Sequence, residues 1–174
     1  MAERPAFTVR PGVAGDLDAI MDLRVDVAAE GRWIGAELPL DVEGDRERLH
    51  PERPGTSTFV AVDADGAVVA NLGIELARYG VASLGMCVAD GWRGRGVGRA
   101  LMDAAIAWAR AAGAHKVELQ VWPHNDAARR LYERVGFVQE GYLRRHYPRK
   151  NGELWDAIVM GLVLDEDTPG SPHH

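Results

Sequence analysis

Apolar residues recur along the chain with two alternating periods, near two and near 3.6, and these divide it into short strands and helices. Phe7 to Arg10 reads as a short strand. From Asp16 onward, Leu17, Ile20, Met21, Leu23 and Val27 fall near helical spacing and predict an amphipathic helix. Gly31 to Leu40 is a loop that carries Trp33, and a polar helical piece follows from Asp41 to Leu49, ended by Pro51, Pro54 and Gly55. Thr58 to Val62 and Val68 to Leu76 are strands around Asp65-Gly66, a hairpin signal. Ala82 to Val88 is a further strand, Gly96 to Ala112 a helix and Lys116 to Trp122 a strand. Asn125 to Val135 is a helix with Gly136 at its end; Phe137 to Tyr142 and Trp155 to Leu164 complete the set. Antiparallel strands first and strand–helix alternation later predict a mixed α+β domain.

The 174 residues suffice for one domain with its own core, and neither an internal repeat nor an interior linker divides them. Residues 1–164 are read as that domain, and 165–174 as a disordered tail, partly of cloning origin, ending in His173-His174. The first ten residues hold no apolar run of signal-peptide length, and no stretch is long enough to span a bilayer. The lone Cys87 excludes a disulfide framework and a cysteine zinc cage, so a cytoplasmic protein without a metal is expected. A net charge of −6 argues against a nucleic-acid binder. The charge is uneven: residues 1–75 hold 15 acidic and 7 basic side chains, residues 76–174 hold 11 and 13. That division suits a cationic substrate on one side and a polyanionic cofactor on the other, although from charge alone a solvated mixed-charge surface is the preferred reading.

Chemistry is concentrated in Val88-Ala-Asp-Gly-Trp-Arg93-Gly94-Arg95-Gly96-Val97-Gly98-Arg99. Glycines at alternate positions let the backbone approach a ligand and turn successive N–H groups inward. A strand runs into this loop and the loop into a helix N-terminus, an arrangement suited to phosphate, with Arg93, Arg95 and Arg99 adding positive charge. The spacing is neither G-x-G-x-x-G of a dinucleotide fingerprint nor the Gly-Lys-Ser/Thr of a Walker loop. A second pattern follows in Asn125-Asp-Ala-Ala-Arg-Arg-Leu-Tyr132-Glu-Arg-Val-Gly136-Phe137. Seven residues at about 100° each return Asn125 and Tyr132 to one helix face, about 10.5 Å apart along the axis. Ala128 lies between them and leaves that face open to a slender ligand. Packing beside Leu131 and Val135 explains Tyr132 in simpler terms, and an N-cap explains Asn125.

Together, R-x-x-G-x-G (Arg93, Gly96, Gly98) and N-x-x-A-x-x-x-Y-x-x-x-G-F resemble the acetyl-CoA-binding core of the GNAT N-acetyltransferase superfamily. The stretches Glu140-Gly-Tyr-Leu-Arg-Arg and Arg149-Lys-Asn-Gly-Glu-Leu-Trp-Asp156-Ala-Ile-Val-Met160 are similar to its YhhY-like branch, associated with amino-acid N-acetylation. The resemblance implies a single GNAT-like domain. Its sheet is mostly antiparallel, of about seven strands with helices on both faces, and a splayed parallel pair forms the cofactor slot. It implies acetyl-CoA as co-substrate. Met86, Cys87 and Val88 would offer main-chain groups to the pantetheine arm, and Arg93, Gly94, Arg95, Gly96, Val97, Gly98 and Arg99 would hold the pyrophosphate. Asn125 and Ala128 would line the arm, and Tyr132 would face the sulfur as proton donor. Trp33 and Glu37 would border the acceptor amine.

Direct attack of the amine on the thioester is expected, with a backbone N–H near Val88 polarising the carbonyl. No His or Asp is patterned to activate Cys87, which reads as a small hydrophobe. The base is less evident. Some relatives carry glutamate where this chain has Ser83, and the ribosomal-protein alanine acetyltransferases carry one where it has Gln120. A water relay through Ser83 or Glu118 is the expectation, while Glu30 and Glu75 read as surface carboxylates. An α-amine of pKa about 8 is roughly 10% neutral at pH 7, a lysine amine only about 0.04%, so a weak base favours amino acids, small amines or peptide N-termini. A drug- or herbicide-amine acetyltransferase and a non-catalytic acyl-CoA-binding module are the alternatives. The expected partner is an amine-bearing small molecule or peptide, with neither nucleic acid nor membrane, and a homodimer is admitted.

Overall fold

In the computed structural model, which describes residues 6–164, five antiparallel pairings and one parallel pairing build a seven-stranded sheet. The expectation for the 165–174 tail lies outside the described residues. β1 (Phe7–Pro11) pairs antiparallel with β2 (Thr56–Asp63), which turns into β3 (Val68–Leu76) at the expected hairpin. The Asp63 carboxylate holds that turn, accepting from Asp65 N–H and Ala67 N–H at 2.9 Å each. β3 continues antiparallel to β4 (Val81–Val88). β4 lies parallel to β5 (Lys116–Val121), the one parallel contact in the order β1-β2-β3-β4-β5-β7-β6.

Between these strands run α1 (Leu17–Ala29), α2 (Val42–Arg48), α3 (Val97–Ala111) and α4 (Asp126–Val135). The period-two alternation of β2 assigns them to faces. Phe59 and Ala61 point to the core shared with Leu101, Met102 and Ala105 of α3, while Val60 packs with Leu17, Ile20 and Met21 of α1. Helices therefore cover both faces. Asp16 does not cap α1 with its side chain; it turns back to accept from Arg10 at 2.7 and 2.9 Å and from Val13 N–H at 2.8 Å, tying the helix start to β1. No helix among the described residues is long and apolar enough to cross a membrane.

The largest departure from the sequence pattern lies in β6, which runs Val138–Pro148 and not only to Tyr142. Leu143 to Pro148 includes Arg144, Arg145 and His146, whose polarity hides a strand from any periodicity count. Cross-strand pairing with β7 (Leu154–Val163) holds it, around a bulge between Leu143 and Tyr147. There Arg145 has a φ of +50°, and its N–H donates to Asp156 Oδ1 at 2.6 Å. Trp122 packs edge-on against both Tyr147 and Trp155, with ring centroids 5.3 and 5.1 Å away, and fixes this hairpin over the end of β5.

Candidate active site

β4 and β5 stay paired for only three rungs: Val81 with Lys116, Ala82 with Val117 and Ser83 with Glu118. Beyond these the strands part, because β5 follows β7 while β4 keeps β3. A cavity of about 880 Å³ passes through the opening from the α1 face to the α3–α4 face. Ala89 N–H donates to the Val69 carbonyl at 2.9 Å, which sets the phase of the β3–β4 ladder. By alternation Cys87 also turns its main chain to β3, whereas Met86 and Val88 turn theirs into the gap. Of the three residues expected to offer main-chain groups, Met86 and Val88 turn theirs toward the gap and Cys87 turns its own toward β3. The Val88 carbonyl is taken by Arg93 Nε at 3.1 Å, so Val88 N–H and the Met86 main chain remain for a ligand.

The glycine loop lies at the far end of β4. Gly94 and Gly96 have φ of +71° and +87°, in the left-handed region, and Gly96 is the N-cap of α3. No side chain caps that helix, so the N–H groups of its first turn face the cavity at its positive end. Val97 is buried beneath the loop and belongs to the core. Gly98 lets α3 approach its neighbours: a Cβ there would stand 2.9 Å from Leu131 Cδ2 and 3.3 Å from Met86 Cε.

The three arginines expected to hold phosphate stand in different surroundings, Arg93 and Arg99 on the cavity wall and Arg95 off it. Arg93 is a strap. Its guanidinium pairs with Glu30 at the end of α1 at 2.7 and 2.8 Å, and Glu30 also accepts from Trp33 Nε1 at 2.7 Å. Arg95 stands over the Trp92 ring at 5.6 Å and is not part of the cavity wall. Arg99 lines the cavity, and so do Arg130 and Arg134, which lie one turn apart on α4 and drew no attention in the sequence. The i,i+4 spacing of those two, on the helix that carries Asn125 and Tyr132, was the available signal.

The strap has a pH signature. The Arg93 hydrogen bond holds the Glu30 carboxyl below its ordinary 4.5, against the opposing effect of burial. A depressed folded value stabilises above the unfolded pKa, and that stabilisation is lost as pH falls through the folded one. Glu30→Gln is therefore expected to flatten the acid side of the melting-temperature profile below about pH 4.5 while lowering stability near neutrality. Parallel pH–melting curves check it; superimposable curves would remove the strap.

Asn125 caps α4, its Oδ1 accepting from Ala128 N–H at 3.3 Å, and it lines the cavity with Ala128 and Tyr132. Both suggested roles of Asn125 are therefore compatible in one geometry. Tyr132 is 7% exposed, and burial pushes its phenol up to about 12. Burial likewise pushes the Cys87 thiol up to about 12, against the lowering effects of Arg24 and Arg93, so it stays a neutral thiol.

Ser83 and Glu118 face one another on the last paired rung, before the strands part, and neither lines the cavity. Glu75 lies across from Ser83 and pairs with Arg53 at 3.1 Å. Glu37 is also outside: it accepts from Lys150 N–H at 3.1 Å and stands 3.5 Å from Arg149 Nε, latching the Trp33 loop to the β6–β7 turn. Gln120 does line the cavity and accepts from the Tyr147 hydroxyl. Trp33 borders the opening on the α1 face, with Arg24, Ile34 and Asn71. Among the described residues, no carboxylate or imidazole lines the cavity, whereas six arginines do. Of the acidic side chains of the first half, Asp45 and Glu30 pair with the cavity-lining Arg24 and Arg93 and do not line the cavity themselves.

The family model for the Acetyltransferase (GNAT) family matches residues 28–137. An L-amino acid N-acetyltransferase of Escherichia coli (strain K12) is 38% identical over 126 residues, 68% of this chain and 74% of the relative. An L-methionine sulfoximine/L-methionine sulfone acetyltransferase of Pseudomonas paraeruginosa is 30% identical over 164 residues, covering 91% of this chain and 95% of that one. Among solved structures, a GCN5-related N-acetyltransferase from Kribbella flavida superposes with a TM-score of 0.81 at 30% identity. That match covers 91% of this chain and 98% of the other.

Proposed function

The chain belongs to the GNAT acetyltransferase family and is an N-acetyltransferase that uses acetyl-CoA, and from that premise we propose that its acceptor is the α-amine of a free amino acid or a closely related small amine. The observation that carries the proposal is the cavity lined by arginines and by no carboxylate or imidazole. Such a wall has no group to strip a proton from a strongly basic ammonium. Its positive field does part of that work, because like charges nearby disfavour the protonated amine. A free amino acid's own carboxylate keeps its amine more basic than a peptide N-terminus, yet it stays less basic than a lysine side chain and needs the smaller further shift to be neutral at pH 7. A polyamine or lysine peptide would also place cations against the arginines. Similarity to enzymes named for amino-acid substrates supports the same choice.

Each end of the cavity has its share of the reaction. The first turn of α3, with Arg99, Arg130 and Arg134, meets the phosphates, and the thioester-bearing arm lies along the Met86–Val88 edge. Val88 N–H donates to the thioester carbonyl and favours the oxyanion that develops under attack. Tyr132, kept protonated by burial, donates to the departing sulfur. The Cys87 thiol is no nucleophile, so the neutral amine attacks the acetyl carbonyl directly within a ternary complex, the C–S bond breaks, the nitrogen sheds its extra proton to water, and Tyr132 regains one from solvent after release.

Release of free thiol from acetyl-CoA should be fastest with neutral-side-chain α-amino acids. Nα-blocked lysine and spermidine should be slower by about several-fold or more, from their lower neutral fraction and the repulsion of their charge by the cavity arginines. Acetyl-CoA at a hundred times its Kd should stabilise the fold by about 2.7 kcal/mol, and NAD much less. A preference for blocked lysine would refute the acceptor class; a larger melting shift with NAD would refute the ligand.

A further inference from the structure

On the α1 side of the opening lies a cluster that none of these steps uses. Asn71, on β3 opposite Cys87, is 2% exposed and lines the cavity, and its Oδ1 is a buried side-chain acceptor without a hydrogen-bond partner. Leaving a buried carbonyl unpaired is costly, so a native fold that does so has a donor to receive there. Arg24 of α1 shares this part of the cavity, with its side chain 12% exposed, and its charge acts on the Cys87 thiol beside Asn71. Asp45 accepts from Arg24 Nε at 3.0 Å, with Arg24 Nη2 2.9 Å away in the same ion pair, and from Arg48 Nη2 at 2.9 Å. Two guanidinium groups against one carboxylate leave a positive charge in excess, and Arg24 Nη1 takes no part in the pairing. Val27, Ile34 and Leu49 complete an apolar wall.

We propose that this cluster is the binding subsite for the α-amino acid itself. Its carboxylate lies on Arg24 with Arg48 at the rim, its amine N–H donates to Asn71 Oδ1, and an apolar side chain packs on Val27, Ile34 and Leu49. The inference rests on the N-acetyltransferase reading and adds what that reading does not contain: the carboxylate is required, and Asn71 aims the amine. A guanidinium matches a carboxylate in geometry as well as charge. An amine with a second cation where the carboxylate belongs is repelled by the same Arg24.

The test compares leucine, leucinamide and isoamylamine, which share a side chain and differ at the carboxylate. Turnover and calorimetric binding to the CoA-loaded protein are both measured. Leucine should exceed leucinamide in kcat/KM and in affinity by roughly ten- to a hundredfold, the worth of a charged hydrogen bond. Amine acidity cannot produce that order, since the amide has the less basic amine. Arg24→Gln should collapse the ratio toward one. Asn71→Leu should lower kcat/KM for leucine about tenfold while the melting temperature holds or rises, because an unpaired buried polar group is removed. A packing asparagine would show the reverse. Since Arg24→Gln also deprives Asp45 of a partner, the wild-type ratio and the Asn71 variant decide the matter if that variant unfolds. Equal binding of leucine and leucinamide, or a stability loss without a rate loss in Asn71→Leu, overturns the proposal. Leucine binding with the predicted preference but without thiol release would uphold the subsite and refute the acetyl-transfer reading instead.

Discussion

Replacing Tyr132 by phenylalanine should lower kcat by about 10²–10⁴-fold and leave acetyl-CoA affinity within a few-fold, as expected for loss of a proton donor alone. The ring stays, and with it the contact to Phe137, whose centroid is 6.0 Å away. Burial raises the phenol to about 12, so it is fully protonated at any working pH. As the proposed donor it would give its proton as negative charge builds on the leaving sulfur, and no titration of its own is expected in the pH–rate profile. The 7% exposure leaves little room for water to replace the hydroxyl, which places the expected loss away from the small end of the range. Affinity by calorimetry and kcat by thiol release should be measured separately. Full turnover in the variant would make Tyr132 a packing residue; a loss confined to affinity would move it to the cofactor wall.

At the other end of the opening, Gly98→Val should weaken acetyl-CoA binding by at least about a hundredfold, the worth of one or two charge-assisted hydrogen bonds. A Cβ at Gly98 would already stand 2.9 Å from Leu131 Cδ2, and the two further methyl groups of valine would press on α4 and into the cavity. Gly98→Ala should be far milder, since the far end of Leu131 can give way. Gly96 supplies a contrast. A Cβ there meets nothing within 4 Å, but the φ of +87° strains any branched residue, so Gly96→Val should cost stability and affinity together. Melting temperature without ligand, then calorimetry with acetyl-CoA, separates the two mechanisms. A folded Gly98→Val variant with unaltered affinity would reduce the loop to a turn.

Most elements were legible in the residues themselves. The apolar spacing of α1, the Asp65-Gly66 turn between β2 and β3, and the strand, glycine loop and helix around Gly96 all appear where adjacent residues indicate them. The second half of β6 was not legible, because Leu143 to Tyr147 is held by β7 and by Trp122 and has no alternation of its own. For the site, the sequence pointed to a loop with three arginines and a helix bearing Asn125 and Tyr132. It could not say that Arg93 belongs to Glu30, 63 positions earlier, nor that Ser83 and Glu118 stop short of the cavity.

What the sequence determined by itself is local. Backbone freedom at Gly94 and Gly96, the cap at Asn125, and the shared face of Asn125 and Tyr132 depend on residues within two helical turns of one another. Those features were enough to specify a glycine loop opening into a helix start without a side-chain cap, and a face of α4 shared by Asn125 and Tyr132. Only the tertiary structure decided where β4 leaves β5, which edge of β4 offers its main chain, and which charges reach the cavity. Each of these is settled by strands and helices distant in sequence: β7 draws β5 away, β3 sets the phase of Met86 and Val88, and Glu30 and Asp45 engage arginines from other elements. A side chain's partner is fixed by packing across the sheet, and no local pattern records it. That is why Asn71 and Arg24, 47 positions apart in sequence, became a pair only once β3 and α1 were folded against each other.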